Sequence, residues 1–170
     1  MKTVTSLLLM LMLSLTSIAG NINKLYRSAL TEKGTLYFFF EQKMPKDKGS
    51  KAIKPLYFDV TYLSESDTVS IKTTVLSYNA YKQPSITIIK ADEQKSEIAT
   101  VVIFRDVKKK GYINRIEIKM PRSEYRQLYN TDKPFTIDFG EQNSFKFSDS
   151  QWKKHREAIN KVWEIIDLNQ

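Results

Sequence analysis

The chain has 170 residues, with 27 Lys and Arg against 19 Asp and Glu, one histidine and no cysteine. The missing cysteines exclude disulfides, thiolate metal centres and lipid attachment at a cysteine. With a single histidine, zinc or copper would need a carboxylate-dominated site, which those metals rarely take.

The N-terminal stretch MKTVTSLLLMLMLSLTSIAG has the layout of a secretory signal peptide. Lys2 forms a positive n-region, Leu7 to Leu15 an apolar h-region, and Ser17 and Ala19 the small residues before a cut at Gly20. The apolar run is short for a membrane span, so no transmembrane segment is expected after cleavage. The expected destination is the bacterial periplasm or the exterior, as a soluble protein that is not a cysteine-linked lipoprotein. The segment 1–19 carries one basic and no acidic residue, which leaves residues 20–170 at a net charge of +7. With no disulfide available, this single domain must be held by its core.

Strand patterns then dominate. The segment 21–34 is open between a helix and one half of a hairpin, because Ile22, Leu25, Tyr26, Ala29 and Leu30 have helical spacing while TEKG suits a turn. Strands are expected at 35–44, 56–63, 68–78, 85–91, 97–104, 111–120, 134–139 and 144–147. In 111–120, Tyr112, Ile116, Ile118 and Met120 oppose Ile113, Arg115, Glu117 and Lys119. The connectors are short and polar, which suits antiparallel hairpins and leaves no room for helical crossovers. A short helix is expected at 122–130. A longer one is expected at 149–167, with Ser148 as N-cap, Gln151 completing a capping box and Phe147 stapled to Trp152. Trp152, Ile159, Val162, Trp163 and Ile166 then share one face, and that stripe must be buried. The fold class is therefore mainly β: an antiparallel sandwich or open barrel of about eight strands, covered by one amphipathic C-terminal helix.

Sites are harder to read. His155 lies at the edge of the buried stripe between cationic neighbours and reads as a packed residue rather than a general base. SESD (64–67) lacks the spacing of a calcium loop and reads as a turn. Asp59, Glu117 and Asp138 are the carboxylates from which a glycan hydrolase would draw its acid and base, although no spacing pairs them. No glycine array cradles a phosphate. Two surface features suggest binding. Lys108, Lys109 and Lys110 form a hairpin tip which, with Tyr112 and Arg115, is a candidate grip for anions. Tyr78 and Tyr81 are candidate aromatic contacts for a ligand. The resulting expectation is a non-enzymatic binding or assembly protein without a cofactor. Its macromolecular partner would be an anionic glycan, a lipid or a protein rather than nucleic acid. A carboxylate-based hydrolase and a purely structural β-domain are the alternatives.

Overall fold

A computed structural model describes residues 24–77, 85–109, 111–140 and 142–169. Nine strands form among them: β1 (Tyr26–Thr31), β2 (Gly34–Met44), β3 (Leu56–Leu63), β4 (Thr68–Ser77), β5 (Ser85–Ile89), β6 (Lys95–Lys108), β7 (Gly111–Pro121), β8 (Thr136–Asp138) and β9 (Ser144–Lys146). Helix α1 (Arg122–Gln127) follows β7, and helix α2 (Asp149–Leu168) follows β9. The strands make one antiparallel sheet in the order β1-β2-β3-β4-β7-β6-β5-β8-β9. The sheet curls into a half-barrel, so the open-barrel expectation holds and no second, sandwiching sheet is present among the described residues.

Alternation explains which face is inward. Along β3 the pattern runs Leu56, Phe58, Val60 and Tyr62 buried, with Tyr57, Asp59, Thr61 and Leu63 turned outward. Ile116, Ile118 and Met120 of β7 and Val69 and Ile71 of β4 continue the inner face. Two register breaks bend the sheet, one in β2 between Phe39 and Gln42 and one in β6 between Val102 and Phe104. β6 is the hinge of the curl. Its residues 95–99 pair with β5, whereas 100–108 pair with β7. The far edge does not stay open, because Lys146 donates its backbone N–H to Pro45 O (3.1 Å) and Asp47 N–H to Ser144 O (2.9 Å). The segment after β2 thereby lies against β9.

Helix α2 fills the trough. Ser148 and Gln151 close a complete capping box, and Phe147 and Trp152 meet with ring centroids 6.0 Å apart. Trp163 packs against Phe39 (5.4 Å), Tyr62 (5.1 Å) and Tyr125 (6.0 Å). Trp152 packs against Tyr129 and Phe135, and its indole N–H donates to Thr131 O (3.1 Å). Burying a side chain of this size contributes on the order of 1.5–3 kcal/mol, so the helix is part of the core. Asp167 clasps its C-terminal end to Arg122 and Arg126, whose guanidinium groups lie over the Trp163 ring.

The undecided segment resolves as a hairpin. Residues from Tyr26 pair with β2 in register from Tyr26–Phe39 to Thr31–Gly34. The expected helix at 122–130 stops at Gln127, after which Leu128 and Tyr129 continue as turn. The expected strand 97–104 extends to Lys95–Lys108, and 134–139 narrows to Thr136–Asp138. Among the described residues, no helix is long and apolar enough to cross a membrane.

Candidate functional site

Four members of the expected basic site, Lys108, Lys109, Tyr112 and Arg115, lie among the described residues. Lys108 is neutralised by Asp106 (2.6 Å), whose carboxyl is held below its usual range by that hydrogen bond and charge. Arg115 points outward and is spent on Asp59 (2.8 Å) and Thr74 Oγ1 (3.0 Å). Tyr112 stands on the alternate face of β7, half-buried. Lys109 is exposed at the tip. Lys110, Tyr78 and Tyr81 lie outside the described residues, as do residues 1–23, on which the expected signal peptide falls.

Two of the three carboxylates share one row of the sheet, and the third lies elsewhere. Asp59, Lys72 and Glu117 form one cross-strand row on the outer face of β3, β4 and β7. Glu117 accepts from Ser70 Oγ (2.6 Å) and neighbours Lys119 (3.6 Å) and Lys72 (4.0 Å). The Ser70 hydrogen bond is the main reason its carboxyl sits below the ordinary glutamate value. Asp138 is remote on β8, where its Oδ1 accepts from Gly140 N–H (2.8 Å). None of the three lines any of the clefts described below. In the SESD turn the hydroxyls serve the backbone, with Ser64 Oγ accepting from Thr35 N–H and Ser66 Oγ from Thr68 N–H. Among the described residues, no group of three His, Asp or Glu side chains is placed to hold a metal ion.

His155 stacks on Phe147 (centroids 4.5 Å apart) and brings Nε2 within 3.4 Å of the Tyr129 hydroxyl. That hydroxyl is 3.2 Å from the hydroxyl of Tyr125. Burial pushes both phenols above their ordinary values and pushes the imidazole down to about 4. The ring is therefore neutral at pH 7. Among the described residues no carboxylate orients it within hydrogen-bonding distance, and its own burial, rather than the neighbouring lysines, lowers its proton affinity.

A different basic site is built where β5, β8 and β9 lie side by side. Ile88, Ile137 and Phe145 form one cross-strand row and are buried; in the next row Ile89 is half-buried, Thr136 is buried and Lys146 is exposed. Beyond Ile89 the chain turns tightly. Lys90 N–H donates to Gln94 O (2.9 Å), Glu93 N–H donates to Lys90 O (3.0 Å), and Glu93 adopts φ 66°. The turn places Lys90 and Lys95 on one wall, and the segment entering β8 brings Lys133 to the other. Together with Lys146 they line a cleft of about 460 Å³ in which, among the described residues, Glu93 is the one acidic residue. None of these four lysines takes part in the ion pairs of the described residues. Four ammonium groups around one concavity raise the local potential and attract an anion. A second cleft, of about 530 Å³, adjoins it through Lys90 and is lined by Ser96, Glu97, Ser123, Glu124 and Gln127.

Sequence reasoning missed the lysine cleft because its members are scattered from position 90 to position 146. Only the insertion of β8 between β5 and β9 brings them together. Comparison with known proteins adds no identity: no family model, no curated protein and no solved structure matches the chain.

Proposed function

We propose that this chain is an exported, non-enzymatic binding protein of the bacterial envelope, and that it holds an anionic glycan group in the cleft of Lys90, Lys95, Lys133 and Lys146. The observation that carries the reading is four lysines around a concavity of about 460 Å³, which among the described residues form no ion pair and are opposed by Glu93 alone. The volume falls within the range of small-ligand sites. A concave site suits a phosphate, sulfate or carboxylate on a sugar better than it suits the plane of a membrane. The leader pattern at 1–19 and the excess of positive charge point the same way.

The test is binding of a heparin-derived oligosaccharide, with phosphatidylglycerol vesicles as the arm that reports headgroup binding. Exposed charge contacts contribute about 0.2–1 kcal/mol each, and reversal doubles the change. Lys133→Glu with Lys146→Glu should weaken oligosaccharide binding by about fourfold or more. Lys108→Glu with Lys109→Glu should change it far less. Equal losses in the two pairs, or no binding at low salt, would overturn the proposal, and preferential capture of the vesicles would reassign the ligand to a lipid.

A further inference from the structure

Strand β1 ends the sheet, and its outer edge carries none of the usual guards. Natural edge strands are protected by proline, by charge turned into the edge or by bulges. β1 has no proline, and its register with β2 is unbroken from Tyr26 to Thr31. Arg27 to Thr31 are all exposed, and Leu30 shows 87% of its surface.

One hydrogen bond fixes which groups face the open side. Leu25 O accepts from Phe40 N–H (3.1 Å). Bonds between antiparallel strands alternate along each strand, so Arg27, Ala29 and Thr31 also turn their backbone groups to β2. Tyr26, Ser28 and Leu30 then present N–H and C=O to the free edge. Among the described residues, no backbone group outside the strands bonds to these three. Their side chains are uncharged, so nothing repels an added strand.

We propose that this edge pairs antiparallel with β1 of a second copy of the chain, about a two-fold axis through Ser28. In that register the edge-facing residues meet only one another. Ser28 opposes Ser28, and Tyr26 opposes Leu30 of the second copy, each pair exchanging both of its backbone hydrogen bonds. The exposed Leu30 gains an aromatic ring as cover. Just beyond the strand, Lys24 comes opposite Glu32 of the second copy. Neither takes part in the ion pairs of the described residues. A shift by two residues sets Lys24 against Leu30 or Gly34 instead and loses the charge match. The two-fold pairing consumes the β1 edge of both copies, so the assembly closes at two. The lysine cleft on β5, β8 and β9 shares no residue with β1, and the two proposals stand or fall separately.

The experiment is sedimentation velocity of the purified chain at low salt, from about 10 μM to about 1 mM. One short strand makes a small interface, so the dimer should be weak and emerge in the upper part of that range. Ser28→Pro should abolish it, because proline removes an edge-facing N–H and is tolerated on an edge strand. Glu32→Lys should weaken it about fivefold, since two like-charge pairs replace two attractive ones. Lys24→Glu combined with Glu32→Lys should restore the parent's affinity. Thermal melting accompanies every variant, and if Ser28→Pro melts early the charge swap alone decides. A chain that stays monomeric to about 1 mM overturns the proposal. So does a dimer that survives Ser28→Pro, or a double variant that dimerises no more tightly than Glu32→Lys.

Discussion

His155 shows how one residue's surroundings set its role. Its imidazole is held neutral by burial, with a proton affinity lowered from the ordinary 6.5 to about 4. Above pH 6.5 the folded and unfolded chains hold the ring in the same neutral state. As pH falls from 6.5 towards 4 the unfolded chain binds a proton that the folded chain refuses, so stability is lost across that window. The full shift corresponds to about 3 kcal/mol. Thermal midpoints between pH 7 and pH 4 should therefore fall more steeply for the parent than for His155→Phe, which keeps the ring stack on Phe147 without a titrating group. Parallel curves would mean that the ring is solvated. The single histidine was legible as a packed residue because its flanks carry no orienting carboxylate. The partners that bury it, Tyr129 and Phe147, come from other parts of the chain and leave no local trace.

At the scale of elements, the strongest local signals are also the ones the fold obeys. Helix α2 was written plainly in the sequence by its cap, its staple and its two-tryptophan stripe. Ser148→Ala should cost about 1 kcal/mol through loss of the cap. Trp163→Ala should cost about 3–5 kcal/mol, since the indole is buried against Phe39, Tyr62 and Tyr125. Chemical denaturation reads both. The β1–β2 hairpin was undecidable because Leu25, Tyr26, Ala29 and Leu30 satisfy a helical period by accident. Leu30 is 87% exposed, so its hydrophobicity reports no core. Gly34 settles the turn. It adopts φ 94°, and a Cβ there would stand 2.5 Å from Ser64 Oγ and 2.6 Å from Glu65 Cγ. Gly34→Ala should destabilise the domain by about 1–3 kcal/mol, with the same denaturation assay as the check.

At the scale of the whole molecule, strand order decides what the chemistry can be. Class, strand number to within one, and the covering helix were legible from alternation and period. The order was not, because β5 pairs with β8 across 46 intervening residues that include β6, β7 and α1. In the basic segment expected at 105–115, Lys108 pairs locally with Asp106 and the strand order brings Asp59 to Arg115, and the same order gathers another basic group from lysines that no motif connects. The most direct measurement is a backbone amide titration by heteronuclear NMR with a heparin-derived oligosaccharide at low salt. The account predicts shifts confined to 89–95, 133–136 and the neighbourhood of Lys146, abolished near 1 M salt, where the screening length is about 3 Å. Shifts that cluster at 105–115 while 89–95 stay silent would contradict it.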